Sequence, residues 1–247
     1  MRLKLTLRYD GTRFHGWQVQ RGSVTVQQVL QDAVERVTGV RAGITGCSRT
    51  DAGVHAAMFC CALDTDSPLR GDKLCAALNA HLPPDVAVYR CDEAAAGFHP
   101  RYDARGKRYV YHIWNGMARN PFWQAYSLHR RGPLDAARLD AAAGDFVGTH
   151  DFAAFQAAGS SVTDTVRTVR LARVDRDGEM VRFTVEADGF LYNMVRIMAG
   201  TLLDMAAGRI PWDAIPAILA GRDRAAAGAT APPQGLCLER VYYDDDS

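Results

Sequence analysis

Leu3, Leu5, Leu7 and Tyr9 alternate with Arg2, Lys4, Thr6 and Arg8, a period of two that predicts a strand with one buried face. Asp10-Gly11-Thr12 turns this strand, and Phe14-His15-Gly16-Trp17-Gln18 follows as a loop. The period then changes to that of a helix. Thr25-Val26-Gln27-Gln28 has the form of a capping box, Val26, Val29, Leu30, Ala33, Val34 and Val37 share one face, and Gly39 ends the run. A strand near Arg41–Cys47, a turn at Asp51 and a strand near Ala56–Leu63 come next. Lys73–Ala80 reads as a short helix stopped by Pro83-Pro84, and Asp85–Cys91 as a strand.

The second half repeats this order. Arg105–Trp114 alternates as a strand, and Leu134–Ala143 is a helix with Asp135 as its cap after Pro133. Arg167–Val174 and Met180–Ala187 are strands joined by a turn at Asp175–Gly178, Phe190–Ala207 is a helix, Arg222–Pro233 a loop, and Leu236–Tyr243 a closing strand. Two β-α-β-β-α-β halves predict an α+β protein of two ferredoxin-like sheets, each with helices on one face. The expected division is residues 1–103 and 104–247, with the crossing near Glu93–Asp103. A central cleft between the sheets is the expected place for a substrate.

Composition narrows the class. With 48% hydrophobic and 23% charged residues in 247, the chain can bury a real core. The N-terminus reads as a strand and not a signal peptide, and the apolar run Met194–Leu203 is too short to span a bilayer and is broken by Arg196, so no membrane is expected and the reading is cytoplasmic. None of the six cysteines forms a Cys-x-x-Cys pair, so reduced, buried thiols are expected and no metal site. Neither a P-loop nor Gly-x-Gly-x-x-Gly occurs, which leaves a nucleotide cofactor without support, and the RNP1 pattern is missing. The net charge of +1 is uninformative, but its distribution is not. Arg101, Arg105, Lys107, Arg108, Arg119, Arg130 and Arg131 stand against the single acid Asp103, interleaved with Tyr102, Tyr109, Tyr111, Trp114 and Trp123, while acids gather at Asp244-Asp245-Asp246. Such a segment suits a polyanion with stackable bases as well as it suits a solvated basic face beside core aromatics.

The densest chemistry lies in Gly46–Ala57, where Arg49, Asp51 and His55 fall within seven residues and Asp51-Ala52-Gly53 forms a tight turn. In isolation an Asp-x-Gly is an Asx-turn. The full string Arg49-Thr50-Asp51-Ala52-Gly53-Val54-His55, however, resembles the tRNA pseudouridine synthase A family, in which the Asp is the catalytic carboxylate. Further stretches match that family in order: Tyr9-Asp10-Gly11-Thr12-x-Phe14-x-Gly16-Trp17-Gln18, Asn79-x-x-Leu82-Pro83, Phe98-His99-x-Arg101-Tyr102-x-Ala104, Lys107-Arg108-Tyr109-x-Tyr111, His150-Asp151-Phe152-x-x-Phe155, Gly189-Phe190-Leu191-x-x-Met194-Val195-Arg196 and Gly235-Leu236-x-Leu238. Ser48 stands where the family usually has Gly, and Pro100 where it usually has Ala.

The resemblance implies an isomerase that converts uridine to pseudouridine at positions 38, 39 and 40 of the tRNA anticodon stem and loop. It also implies the pseudouridine synthase fold, a homodimer and no cofactor. Asp51 would be the ionised carboxylate, attacking C6, attacking C1′ or removing a ribose proton. Arg196 would be its ion-pair partner, because an Arg among Met194, Val195, Ile197 and Met198 is costly to bury alone. Tyr109 would stack on the extruded uracil and its hydroxyl could help remove the C5 proton, while Arg49 would enter the RNA and hold the place the nucleotide leaves, or a phosphate. Phe98, His99, Pro100, Arg101 and Tyr102, with Gly159, Ser160, Ser161, Val162 and Thr163, fall where the family contacts tRNA. His55, His99 and His150 read as loop hydrogen-bonding groups, with no Ser or Cys nucleophile in a pattern to serve. Two rivals are a non-catalytic tRNA-binding or folding protein on the same scaffold, and a hydrolase acting at C1′, which needs a second acid. Outside Asp51, only Asp10 and Asp151 lie in matching stretches, and they read as turn and cap residues.

Overall fold

A computed structural model describes residues 1–244, so Asp245 and Asp246 lie outside the described residues. Two compact units are present, one built from residues 1–105 with the C-terminal strand and the other from residues 106–236.

In the first unit the elements are β1 (Arg2–Tyr9), α1 (Val26–Thr38), β2 (Ile44–Gly46), β3 (His55–Asp64), α2 (Gly71–Asn79) and β4 (Val86–Glu93). β1 pairs antiparallel with β3 on one side and β4 on the other, and β2 adds to β3. The alternation in β1 is used as the sequence predicts, with Leu3, Leu5 and Leu7 fully buried. α1 starts where the Thr25 hydroxyl accepts from the Gln28 N–H, and stops where Gly39 takes φ 76 and donates to the Glu35 carbonyl. Trp17 lies flat on Phe59, ring centroids 4.1 Å apart, above Gly46. A Cβ at residue 46 would come within 2.5 Å of the indole nitrogen, so only glycine fits beneath that ring.

The second unit holds β5 (Gly106–Trp114), β6 (Leu128–His129), α3 (Ala136–Gly144), β7 (Gly148–Asp151), β8 (Val166–Asp177), β9 (Met180–Ala187), α4 (Met194–Ala206) and α5 (Ile215–Gly221). Its strands run β5-β9-β8-β7, with β6 beside β5. Asp135 caps α3 by accepting from the Arg138 N–H. Tyr111, Phe146, Phe152, Phe155 and Phe183 fill the core. Finally, β10 (Leu236–Tyr242) runs parallel to β3, pairing Cys237 with His55 and Leu238 with Ala56, and so returns to the first unit.

The differences from the pattern have local causes. α4 begins at Met194 and not at Phe190, because Asn193 adopts the left-handed conformation at φ 60 and breaks the run. β8 continues through Asp177, which pairs with Met180 across a two-residue turn whose first position, Gly178, has φ 57. β6, β7 and α5 are too short or too polar to carry a period of their own. The stretch read as a loop from 222 to 233 contains a 3-10 turn at Arg224–Ala226, and another follows at Pro233–Gly235. All six cysteines are free thiols, five of them buried. No helix among the described residues is long and apolar enough to cross a membrane.

Small residues on α4 let another backbone cross it. The segment from Gly228 to Ala231 lies on the helix, with the Gly228 N–H donating to the Thr201 hydroxyl, the Ala229 N–H to Asp204 and the Ala231 N–H to the Arg196 carbonyl. A Cβ on Gly200 would sit 1.7 Å from the Ala229 carbonyl oxygen, which is backbone and cannot swing aside. Gly200→Ala should therefore lower unfolding stability by about 1–3 kcal/mol despite its better helix propensity, a loss readable as a shift in the urea midpoint.

Candidate active site

The Asp51 turn is built by glycines and by bonds to the segment after β1. Val54 donates its N–H to the Asp51 carbonyl, and Gly53, with φ 78, occupies the position where a turn of this kind needs positive φ. Thr50 is buried, Asp51 half-buried and Arg49 exposed, so the turn presents its two charged groups outward from a buried base. Beneath it, the Tyr9 and Thr50 hydroxyls share a hydrogen bond of 2.8 Å, and the Trp17 N–H donates to the Thr50 carbonyl. Ser48, one of the two departures from the family pattern, is half-buried at the approach to the turn.

His55 is buried and its Nδ1 accepts from the Gly11 N–H at 3.0 Å. His99 Nδ1 accepts the N–H groups of Arg101 and Tyr102, and His150 Nε2 meets the Val147 carbonyl. Of the three only His99 lies in a loop, since His55 opens β3, where it also meets Asp10 at 3.2 Å, and His150 lies within β7.

Phe98 to Tyr102 forms a basic aromatic corner of the first unit. His99 donates its N–H to Asp103, and the Asp103 N–H returns to the His99 carbonyl. Pro100 is buried and its carbonyl accepts from the Tyr243 hydroxyl at 2.6 Å. Tyr102 is 75% exposed, beside the His99 ring, with the Arg101 guanidinium above it. Lys4, an outward position of β1, places its ammonium 4.1 Å from the Tyr243 ring centroid and 5.4 Å from that of Phe98. Nothing in the sequence singles out Lys4. Its alternation marks it as outward, but its aromatic neighbours come from 94 and 239 residues further along the chain.

Tyr109 and Arg196 belong to the second unit. Tyr109 sits on β5 opposite Val185, buried, with Phe190 edge-on at 5.1 Å. Tyr111, two residues on, is fully buried, donates its hydroxyl to the Pro232 carbonyl, and is pushed well above the ordinary phenol range by that burial. Arg196 lies in the first turn of α4, half-buried, where Nε donates to the Ala231 carbonyl at 2.7 Å and Nη1 to Asn193 Oδ1 at 2.8 Å. These two bonds fix the guanidinium plane. The stretch Gly159 to Thr163 is an exposed loop tied down where Gln156 donates to the Val162 carbonyl and the Val162 N–H to the Ser160 hydroxyl.

The basic run between Arg101 and Arg131 is less open than its composition suggests. Arg105 forms two bonds with Asp244, Arg108 pairs with Glu186, and Lys107 is buried. Arg101, Arg119 and Arg131 face solvent. Among the described residues, no group of three His, Cys, Asp or Glu side chains could hold a metal ion.

The two other carboxylates in the matching stretches are committed to local structure. Asp10 accepts from both the backbone and the hydroxyl of Thr12. Asp151 accepts from the Thr165 hydroxyl and the Ala153 N–H, and meets Arg222 at 3.1 Å. A general acid needs a proton to give, whereas the Thr165 hydroxyl above all holds the Asp151 carboxyl below its ordinary pKa.

A model of the tRNA pseudouridine synthase family matches residues 6–103 and 142–244. The tRNA pseudouridine synthase A of Ruminiclostridium cellulolyticum is 45% identical over 243 residues, 98% of this chain and 99% of the relative. That of Thermoanaerobacter sp. is 44% identical over 239 residues (97% and 98%), and that of Geotalea uraniireducens 45% over 241 residues (98% and 99%). A crystal structure of a Cbf5-Nop10-Gar1 complex aligns with a TM-score of 0.38 at 14% identity, covering 97% of this chain and 59% of that one, too distant to carry an argument.

Because Asp151 is held below its ordinary pKa in the folded chain, its contribution to stability is complete above the unfolded pKa of about 4 and is lost as pH falls through the folded value. The stability gap between the wild-type chain and Asp151→Asn, measured by urea unfolding, should be widest at neutral pH and shrink on acidification.

Proposed function

The chain belongs to the tRNA pseudouridine synthase family, isomerases that act on uridine in tRNA, and from that premise we propose that it forms pseudouridine at positions 38, 39 and 40 of the anticodon stem and loop with Asp51 as its catalytic carboxylate. The observation that carries the reading is the Asp51 turn itself, a carboxylate at the rim of a buried, hydrogen-bonded base with the exposed Arg49 two residues before it.

The reaction breaks the bond from C1′ to N1, turns the uracil, joins C1′ to C5, and transfers the C5 hydrogen to solvent while N1 gains a proton. Atoms are conserved without an outside oxidant or reductant, so no cofactor is called for. Asp51 acts as nucleophile or base on the extruded nucleotide, and Arg49 occupies the space that nucleotide leaves. Tyr109, braced by Phe190, is the platform for the uracil face. The first unit thus carries the catalytic Asp loop, and the second carries the stacking Tyr and the Arg partner.

Arg101 and Tyr102, exposed beside His99, suit a phosphate and a base, and the loop from Gly159 to Thr163 supplies a second contact with the anticodon arm. We assign the protein to the cytoplasm as a homodimer, as the resemblance implies. A hydrolase finds little support, since Asp10 and Asp151 are held by turn and cap bonds.

Tritium release from tRNA labelled at uridine C5 tests the reading. The wild-type chain should release tritium, and Asp51→Asn should release none. Tight binding without release by the wild-type chain would favour a non-catalytic tRNA-binding protein, and free uracil or an abasic site a hydrolase. Release by both proteins would remove Asp51 from the chemistry. Arg196 is the proposed partner that keeps Asp51 ionised, so its loss should raise the pKa of that carboxylate. The acidic limb of the pH–rate profile of Arg196→Gln should accordingly move to higher pH, and an unmoved limb would dissociate the two residues.

A further inference from the structure

The stretch Tyr9-Asp10-Gly11-Thr12-Arg13-Phe14-His15-Gly16-Trp17 matches the family pattern, yet none of the roles above uses it. In the structure it lies against the Asp51 turn. The Trp17 N–H donates to the Thr50 carbonyl at 3.1 Å, and the Gly53 N–H to the Phe14 carbonyl at 3.2 Å, so the turn is gripped on both sides of Asp51. The Gly11 N–H donates to His55 just beyond it. Two glycines make this approach possible. A Cβ on Gly16 would lie 2.3 Å from the Thr50 carbonyl oxygen and 3.1 Å from the Asp51 carbonyl carbon, and one on Gly11 would lie 2.0 Å from the Val54 carbonyl oxygen.

One side-chain bond completes the grip. The Tyr9 and Thr50 hydroxyls meet at 2.8 Å in a buried setting, with Tyr9 4% and Thr50 7% exposed. The Tyr9 ring is itself braced by Phe59, centroids 5.7 Å apart. Thr50 is the residue immediately before Asp51, so fixing its side chain as well as its carbonyl removes rotation of the peptide plane that leads into the carboxylate. Loss of either hydroxyl removes this buried bond, and the backbone at Thr50 is then free to shift.

We propose that the segment Tyr9–Trp17 is a clamp on the catalytic turn, with Tyr9 a positioning residue that acts on Asp51 through the Thr50 hydroxyl. Its effect is on the geometry of attack, to which rates are sensitive at the level of about a hundredfold for an ångström of displacement. The proposal rests on the catalytic reading of Asp51.

The test is single-turnover tritium release at saturating enzyme, with tRNA affinity and melting temperature measured on the same proteins. Tyr9→Phe keeps the ring on Phe59 and removes only the hydroxyl, and Thr50→Val keeps the shape and removes the other. Each should slow the chemical step roughly tenfold or more while tRNA affinity stays within about twofold, and Thr50→Ser should restore the rate. The double variant Tyr9→Phe with Thr50→Val should lose no more than the slower single variant, because one bond is broken in all three. Unchanged single-turnover rates would overturn the proposal. So would losses that follow tRNA affinity or melting temperature, or Thr50→Ser behaving as Thr50→Val. Asp51→Asn in the same series separates the two readings. If it still releases tritium, the catalytic assignment itself fails; if it is silent while Tyr9→Phe is normal, only the clamp fails.

Discussion

The stacking of Trp17 on Phe59 above a side-chain-free residue 46 joins β2, β3 and the loop after β1 in the first unit. The indole is 2% exposed and touches β2 and β3 with its faces and edge. Its backbone does separate work, since the N–H holds the Thr50 carbonyl and the carbonyl accepts from Gln27 in the first turn of α1. One residue therefore ties a helix start, two strands and the loop before Asp51 to a common point. A smaller side chain at position 17 would open a void, a larger one at position 46 would lift the ring, and either would be felt at Thr50 through the same amide.

The second unit holds its candidate site residues differently. α4 is apolar almost all round, and what fixes Arg196 is a backbone strap, from Gly228 to Ala231, that crosses the helix over Gly200 and Thr201. The strap both accepts from the guanidinium and donates to the Arg196 carbonyl. A charged side chain on an apolar helix is held in a defined orientation by neutral carbonyl and amide oxygens, whose dipoles offset part of its desolvation.

Much of this was legible beforehand, for physical reasons. Elements with a clear period and a cap, such as β1, α1 and α3, appear where Leu3–Tyr9, Thr25 and Asp135 place them, because local bonding decides them. α4 began four residues late because a left-handed Asn193 carries no distinctive signal in an otherwise helical run. β6, β7 and α5 depend on neighbours for their existence, and a window of sequence contains no neighbours. In the site, Asp51 and Arg49 could be picked out from a contiguous string. Lys4 between Phe98 and Tyr243 could not, since that grouping exists only once β1, the 98–102 segment and the end of β10 have been brought together. Charge counting misled in the basic run, where Arg105 and Arg108 are matched by acids distant in sequence.

The parallel pairing of β10 with β3 has a temporal side. Cys237 and Leu238 lie against His55 and Ala56, the residues on which the Asp51 turn comes to rest, yet the whole second unit is translated between them. On the ribosome the first unit must therefore wait with the start of one β3 edge, at His55 and Ala56, unpaired while some 130 residues emerge and fold, the far end of that edge being covered by β2. A chain released before β10, even with Asp51, Arg49, Tyr109 and Arg196 all present, lacks the strand that pairs with the residues just after the Asp51 turn. Closure of this end of β3 thus waits on translation of the whole second unit and of β10 behind it.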